Sequence, residues 1–198
     1  MLRERFEPMR RVELAGMSCS IADVIEERRV HLDSPAIDVM TDLKRIPAAS
    51  VPAAEPHEEA LRVMQMRGVR LLLVVDGSGL VIGVVTAADL LGERPLRAAR
   101  EQGLRRGEVT VARVMTPLSA MDAVRHEDVL RADVGHVIAT LGRSGRQHAL
   151  VIENAQDGRV CIRGIFSRTQ IARQLGVALP EGAEVARSFA EIEAAIAA

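Results

Sequence analysis

The sequence predicts an α/β protein made of two similar units that pack sheet against sheet. Three short motifs occur twice in the same order, and each copy has the same succession of helical and strand patterns. The chain has 198 residues, of which 48% are hydrophobic and 27% are charged, which is close to the globular average. A chain of this length can bury a sizeable core without disulfides or structural metals.

Internal duplication is indicated by the spacing of the three motifs. They are Val39-Met40-Thr41 and Val114-Met115-Thr116, then Val74-Val75-Asp76 and Val151-Ile152-Glu153, then Gly83-Val84-Val85-Thr86 and Gly164-Ile165-Phe166-Ser167. The copies are separated by 75, 77 and 81 residues. Small insertions in the loops account for this increase in spacing. One matched triplet arises easily by chance, but three in register indicate that the chain repeats itself once.

Each copy predicts extended chain, helix, strand, turn, strand and helix, in that order. Apolar residues at helical spacing mark the longer helices: Ala60, Leu61 and Met64 in the first copy, and Val134, Val137, Ile138 and Leu141 in the second. The other predicted elements are extended chain near 48–51 and 121–124, hairpin strands beginning at 71–75 and 149–152, and closing helices at 87–91 and 169–175. One such β-α-β-β-α unit leaves an apolar sheet face uncovered, so we expect two pseudo-twofold-related units that face each other across a cleft.

The repeat predicts five segments along the chain. They are an N-terminal extension at 1–36, the first unit at 37–92, a helical linker at 93–110, the second unit at 111–176 and a C-terminal helical extension at 177–198. In the linker, Arg94, Arg97, Arg100, Arg105 and Arg106 form either a phosphate-facing patch or a solvated helix face. In the last segment, Val185, Phe189, Ile192 and Ile196 fall on one helical stripe that must cover a sheet or a partner.

The composition argues against several classes of function. A net charge of −1 and only three aromatic residues, all Phe, give little attraction for nucleic acid. Lys44 is the only lysine and follows no Gly-rich loop, which excludes a P-loop and a protein kinase. No apolar stretch approaches the length of a membrane span, so we expect no membrane insertion and a cytoplasmic location.

No arrangement typical of an enzyme or a metal site is found in the sequence. His57 precedes two glutamates but lacks the second histidine of a zincin. His31, Asp33 and Asp38 are either a metal-binding group or, more simply, an ordinary polar loop. Cys161 lies in a predicted strand, where a buried, inert thiol is expected. We therefore predict a protein that is not an enzyme, requires no cofactor and has no metal site.

Thr86 and Asp89 lie three residues apart where a strand gives way to a helix. One explanation is structural: the two side chains form a capping box at the start of the helix. The other is functional: a hydroxyl, free amides and an outward carboxylate suit an anion and a vicinal diol such as a ribose. The chemistry of the two residues leaves both explanations open.

The repeated unit resembles the CBS domain, and the two copies together resemble a CBS pair, or Bateman module. In that family each copy ends with Gly, two apolar residues, Thr or Ser, two variable residues and Asp. The first copy has this motif in full, from Gly83 to Asp89, and the Val-Met-Thr motifs and the acids Asp76 and Glu153 also fit. The resemblance covers about residues 37 to 176 and implies tandem CBS domains of a stand-alone protein.

The resemblance also implies a ligand and the residues that hold it. CBS pairs commonly bind AMP, ADP or ATP, and sometimes S-adenosylmethionine, between the two copies. Asp89 would then hold the ribose hydroxyls, Thr86 would lie near the ribose and phosphates, and Val84 would lie against the nucleoside. Arg70 and His148 occupy the region in which basic residues of the family often meet phosphates.

The second copy departs from the family motif. Ser167 keeps the hydroxyl, Ile165 matches Val84, and Gln170 stands where Asp is expected. The neutral amide lacks the charge that strengthens an acceptor, so we expect this second site to be weak, altered or empty. Arg168 either helps to hold a phosphate or is simply solvated.

The function that the resemblance implies is a non-catalytic sensor of an adenine nucleotide, acting as a homodimer. The alternative is an interaction protein that has kept the fold, has lost the ligand and docks onto an enzyme or transporter.

Overall fold

The structure, a computed structural model, describes residues 9–20, 30–155 and 157–177. Its first elements are a 3₁₀ turn at Ala36–Val39, β1 Thr41–Asp42, β2 Ser50–Pro52, α1 His57–Arg67, β3 Leu71–Val75, β4 Val81–Thr86, α2 Ala87–Leu91 and α3 Arg94–Gln102. They are followed by a 3₁₀ turn at Arg106–Glu108, α4 Val111–Val114, β5 Thr116–Pro117, a 3₁₀ turn at Leu118–Ala120, β6 Ala123–Arg125, α5 His126–Val129, α6 Val134–Ser144, β7 His148–Asn154, β8 Val160–Ser167 and α7 Arg168–Gln174.

The two predicted long helices, α1 and α6, are confirmed. Each buries the apolar residues that predicted it, among them Ala60 and Met64 in α1 and Val137 and Ile138 in α6. Each ends at a glycine in the left-handed conformation, Gly68 or Gly145, both with a φ of 64°. A glycine at this position satisfies the last carbonyls at little steric cost, which explains where each helix stops.

Two four-stranded mixed sheets contain all the strands of the described residues, in the orders β2-β3-β4-β5 and β1-β8-β7-β6. In each sheet the central hairpin is antiparallel and the strand before the long helix pairs parallel to it. The α/β class and the duplicated architecture predicted from the sequence are thus confirmed.

Each sheet takes one edge strand from the opposite repeat. β1 pairs with β8, and β5 pairs with β4, so residues 36–42 and 111–117 (the exchanged segments) cross between the repeats. The repeat predicted that these segments begin their own units, but the structure docks each of them on the other unit. The Val-Met-Thr motifs marked these segments as repeated, but they predicted neither the edge strands nor the sheet that each strand joins.

The core forms four layers, with helices outside and the two sheets inside. One cluster joins α6 and α7 to one sheet, and a second joins α1, α2 and α3 to the other. Between the sheets lies a third cluster, formed by Leu71, Leu73, Val84 and Leu150. Because this third cluster draws on both repeats, neither sheet face is left uncovered, as the burial argument required.

Two glycines of the repeated motif lie where the exchanged segments cross. A Cβ at Gly83 would lie 2.6 Å from the carbonyl oxygen of Thr116, and one at Gly164 would lie 2.5 Å from Sδ of Met40. The Gly-x-x-Thr/Ser motif of each repeat therefore packs against the Val-Met-Thr motif of the other. The motifs that revealed the repeat are contact points between its two copies.

Three further features complete the fold. Cys161 lies in β8 as predicted, but its side chain is exposed rather than buried, because it lies near the outer end of the strand, opposite Glu153. None of the helices in the described ranges has the length and apolarity that crossing a bilayer requires. The stripe predicted at Val185, Phe189, Ile192 and Ile196 falls outside the described residues.

Candidate functional site

The turn from β4 into α2 positions the two residues that the sequence singled out, Thr86 and Asp89. The hydroxyl of Thr86 accepts a bond from the Asp89 backbone N–H (3.2 Å), and Asp89 Oδ2 accepts from the Thr86 N–H (2.9 Å). Oδ2 also accepts from the Thr86 hydroxyl at 2.7 Å. This is a complete capping box, so the structural explanation of the pair is confirmed.

The other oxygen of Asp89 faces a cation. Arg94 Nη1, at the start of α3, lies 3.0 Å from Asp89 Oδ1 in an ion pair. The same nitrogen donates to the carbonyl oxygen of Val114 (3.0 Å) and to the hydroxyl of Thr116 (3.1 Å), both in an exchanged segment. The carboxylate of the first repeat is thus joined, through one guanidinium, to the segment that begins the second repeat.

His148, the first residue of β7, brings the second repeat to the same place. It is half-buried, and burial lowers its pKa from 6.5 to about 4. The charge of Asp89 acts in the opposite direction, and that of Arg70 adds to the lowering. Arg70 lies at the turn that carries Thr86 and Asp89, since its carbonyl oxygen accepts from the Ala87 N–H (2.9 Å). The charges of Arg70 and Asp89 reach His148, which within its own repeat lies opposite Ser167 in the pairing of β7 with β8.

The two apolar residues of the predicted site lie between the sheets. Val84 is almost fully buried in the inter-sheet cluster with Leu71, Leu73 and Leu150, and Ile165 packs against the same cluster. Their side chains thus form the apolar floor between the two repeats, beside the end of β4 that carries Thr86.

The predicted second site has a different arrangement. Ser167 is the N-cap of α7 but makes no side-chain capping bond, and Gln170 Oε1 accepts a bond from the Thr41 hydroxyl at 3.1 Å. Arg168 is buried rather than solvated, and burial lowers its pKa. His148 lies opposite Ser167 in the pairing of β7 with β8, and the charge of Asp89 of the first repeat also acts on it. The second repeat therefore keeps the hydroxyl and lacks the charged acceptor.

Sequence reasoning missed three residues of the region: Arg94, Thr41 and Thr116. Both threonines were visible as repeat motifs, but their contacts are with the opposite repeat, which spacing along one copy does not indicate. Arg94 belongs to the basic run of the predicted linker, for which a solvated helix face was one of two interpretations. That interpretation fits its neighbour Arg97, which pairs loosely with Glu101 at 3.7 Å. The sequence feature that could have identified Arg94 was its position, five residues after Asp89.

A second charged cluster marks the sheet β1-β8-β7-β6. Arg163 forms a two-pronged ion pair with Asp42, and this hydrogen bond holds the pKa of Asp42 below its usual value. Lys44 Nζ lies 2.6 Å from Glu153 Oε2 and likewise lowers the pKa of Glu153. These ion pairs fasten the exchanged segment 36–42 and the residues after it to β7 and β8.

Within the described ranges, no three His, Cys, Asp or Glu side chains are grouped as a metal site requires. His57 is fully buried, and its Nδ1 lies 3.1 Å from the carbonyl oxygen of Val109, so it ties α1 to the chain that precedes α4. The arrangement around Asp89 offers a carboxylate, a hydroxyl and nearby basic groups, which are groups that bind polar ligands.

Comparison with known families identifies the first repeat. Residues 36–95 match the family described as CBS domain. The first repeat is therefore a CBS domain. No curated protein sequence matches the chain at a significant level.

Solved structures with the same fold cover both repeats. A conserved protein from Pyrococcus horikoshii is 21% identical, with a TM-score of 0.52 over 77% of this chain and 99% of its own. The CBS-domain protein ATU1752 from Agrobacterium tumefaciens is 19% identical, with a TM-score of 0.51 over 77% and 98%. CBSX2 from Arabidopsis thaliana, in complex with AMP, is 22% identical, with a TM-score of 0.50 over 71% and 94%. The two repeats together therefore have the fold of a CBS pair.

Proposed function

We propose that this CBS pair is a non-catalytic regulatory module that binds an adenosine nucleotide, AMP, ADP or ATP, between its two repeats. The observation that carries the proposal is that Thr86, Asp89 and Arg70 share one turn of the first repeat and that the charges of Asp89 and Arg70 reach His148 of the second. A ligand at this place would touch both repeats. It would therefore shift their packing to the extent that it binds one arrangement better than another.

The chemistry of each group suits one part of a nucleotide. A carboxylate accepts hydrogen bonds from the two hydroxyls of a ribose, and its charge makes those bonds stronger than neutral ones. The exposed guanidinium of Arg70 offers a partner for phosphate oxygens. His148 is neutral at pH 7 because its pKa is about 4, so it contributes hydrogen bonding there rather than charge.

The fold neighbours support the same class of ligand. CBSX2 from Arabidopsis thaliana was solved in complex with AMP, and this chain shares its fold. The proposal assigns the stronger site to Thr86, Asp89 and Val84. It assigns a weak or empty site to Ser167, Gln170, Ile165 and Arg168, because Gln170 is neutral and already accepts from Thr41.

The proposal is tested by calorimetric titration of AMP and ATP into the wild type and two matched variants. Asp89→Asn keeps the size of the side chain and removes its charge, so we expect binding to weaken at least tenfold, the loss of a charged hydrogen bond. Gln170→Ala changes the equivalent position of the other repeat and should leave the affinity within about twofold. Loss of binding in the Gln170 variant alone would overturn the assignment.

A second candidate function is an interaction module that binds no nucleotide. It is favoured by the engagement of both Asp89 oxygens within the protein, one in the capping box and one in the Arg94 ion pair. The two candidates differ in thermal unfolding with and without nucleotide. A ligand at one hundred times its dissociation constant adds about 2.7 kcal/mol of stability, whereas the interaction module shows no shift with any adenine compound.

A homodimer is part of the same proposal. Light scattering behind a sizing column would measure the mass directly, and a mass of one chain, 21.5 kDa, would refute it.

A further inference from the structure

Arg94 occupies the place that a sugar would need. Its Nη1 lies 3.0 Å from Asp89 Oδ1, whereas Oδ2 is used by the backbone and hydroxyl of Thr86. A vicinal diol donates two hydrogen bonds, and the oxygen least committed to the fold is Oδ1. A ligand that reaches Asp89 must therefore share Oδ1 with the guanidinium or displace it.

Of the partners of Asp89, Arg94 is the easier to displace. The carboxylate side chain is 14% exposed, but that of Arg94 is 44% exposed, so water reaches the cation and not the capping box. An ion pair with one partner this exposed contributes little to stability. The capping box, in contrast, fixes the start of α2 and stays in place when Arg94 leaves.

Displacing Arg94 has an effect elsewhere, because the same nitrogen holds the exchanged segment 111–117. It donates to the Val114 carbonyl oxygen and to the Thr116 hydroxyl, next to the pairing of β4 with β5. Asp89 is the charged acceptor of this nitrogen, and the other two acceptors are neutral, so a guanidinium that loses Asp89 keeps only the weaker part of its bonding. When the guanidinium turns to solvent, the segment loses two hydrogen bonds to the first repeat.

We infer that Arg94 couples occupancy of Asp89 to the docking of the exchanged segment 111–117. The inference rests on the proposed function, because it requires a ligand at Asp89. Arg94 lies outside the predicted site. It competes with the ligand for Asp89 and, when displaced, loosens the docking of the exchanged segment 111–117. At the corresponding position of the second repeat, 81 residues after Arg94, stands Leu175, which carries no cation, and Gln170 bonds Thr41 directly.

The test uses adenosine, which carries the ribose without phosphates, and compares the wild type with Arg94→Ala. Removing the competing cation should tighten adenosine binding about two- to fivefold, the range that a partly exposed ion pair allows. In the wild type, adenosine should also speed amide hydrogen exchange in residues 111–116. In Arg94→Ala, exchange there should already be fast and should not respond to adenosine.

Two further variants make the result specific. Arg97→Ala removes a neighbouring arginine that pairs only loosely with Glu101, and it should leave affinity and exchange unchanged. Arg94→Gln removes the charge but keeps a donor for the Val114 carbonyl, so it should tighten adenosine binding and retain slow exchange. If Arg94→Ala does not fold, Arg94→Gln tests the inference in its place.

Each outcome decides the matter. Binding by the Arg94 variants but not by the wild type supports the inference, since the cation then blocks the site. Equal adenosine affinity in the wild type and both Arg94 variants overturns the coupling and leaves the proposed function standing. Absence of adenosine, AMP and ATP binding in all of them removes the proposed function, and the coupling with it.

Discussion

The first repeat ends its second hairpin strand with Thr86 and Asp89, and the second repeat has Ser167 and Gln170 at the same positions. In the first, the acid completes a capping box and pairs with Arg94. In the second, the amide accepts one bond from Thr41, and the serine caps nothing with its side chain. One scaffold thus carries a charged acceptor, Asp89, in one repeat and a neutral acceptor, Gln170, at the same position of the other.

A second contrast lies in the β-bulges. Each central hairpin has an irregularity at the same place, where Ile82 in β4 and Arg163 in β8 are the extra residues. Ile82 packs on the apolar core of its sheet, but Arg163 pairs with Asp42 of the exchanged segment. A bulge re-aims its residue. The fold therefore fixes where the side chain projects, and the residue type decides whether the neighbouring edge strand is held by apolar packing or by charge.

The largest expected difference between the repeats is at the crossing glycines. Gly83→Ala places a Cβ 2.6 Å from the backbone oxygen of Thr116. At Gly164 the nearest atoms, Sδ and Cγ of Met40, belong to a side chain, and the backbone oxygen of Thr41 lies farther away, at 3.0 Å. Since a side chain moves more easily than backbone, we expect losses in the free energy of unfolding of about 2–3 and about 1 kcal/mol, respectively. Urea denaturation measures both.

Gly77→Ala is the matched control for the two crossing glycines, because a Cβ there meets nothing within 4 Å. It should change the unfolding free energy least of the three. A larger loss for Gly164→Ala than for Gly83→Ala would contradict the backbone-contact explanation.

The next effect concerns His148, which stands where the first repeat has Leu71. Burial lowers its folded pKa to about 4, so between pH 6.5 and 4 the unfolded chain binds the extra proton and stability falls as the pH falls. His148→Leu removes this dependence. Between pH 7 and pH 4.5 we expect the wild type to lose about 1–2 kcal/mol more of its free energy of unfolding than His148→Leu loses, after allowance for the partial exposure of the ring.

Unfolding free energies measured at several pH values test the His148 prediction. The carboxylates Asp42 and Glu153, whose folded pKa values are lowered, weaken the fold in more acid solution, as the pH falls through their own range. Equal losses in the wild type and His148→Leu between pH 7 and 4.5 would show that the ring is not shielded from water.

The smallest effect is at the two N-caps. Thr86→Ala removes both bonds of the Thr86 hydroxyl, leaves the bond from its backbone N–H to Asp89, and should cost about 1 kcal/mol. Ser167→Ala removes no capping bond and should cost a few tenths. Thr86→Ser keeps the hydroxyl and should retain most of the stability. Equal losses for Thr86→Ala and Ser167→Ala, measured by thermal unfolding, would mean that Ser167 caps its helix in solution.

Local patterns were sufficient to predict most of the fold. The helix stripes of α1 and α6, the hairpin strands from 71 and 149 and the Thr86–Asp89 cap all depend on neighbours within a few residues, which spacing reports directly. The residues assigned to the candidate site from the motif that ends at Asp89 remain a prediction.

The rest depends on contacts between residues far apart in sequence. Nothing within one repeat indicates that Thr41 meets Gln170, that Thr116 meets Arg94 or that the charge of Asp89 reaches His148. The exposure of Cys161 and the burial of Arg168 likewise depend on which residues, distant in sequence, pack against each side chain. Periodicity gives the faces of an element, not the identity of the chain that packs on it.

The crossing of the two edge strands has a consequence for how the chain is divided. A fragment cut at the repeat boundaries contains the edge strand of the other repeat's sheet and lacks the edge strand of its own sheet. Each half alone would therefore expose an unpaired sheet edge. The natural partner for that margin is a second identical fragment, which supplies the missing strand. The halves of this protein are therefore interdependent in the way that the subunits of a strand-swapped dimer are.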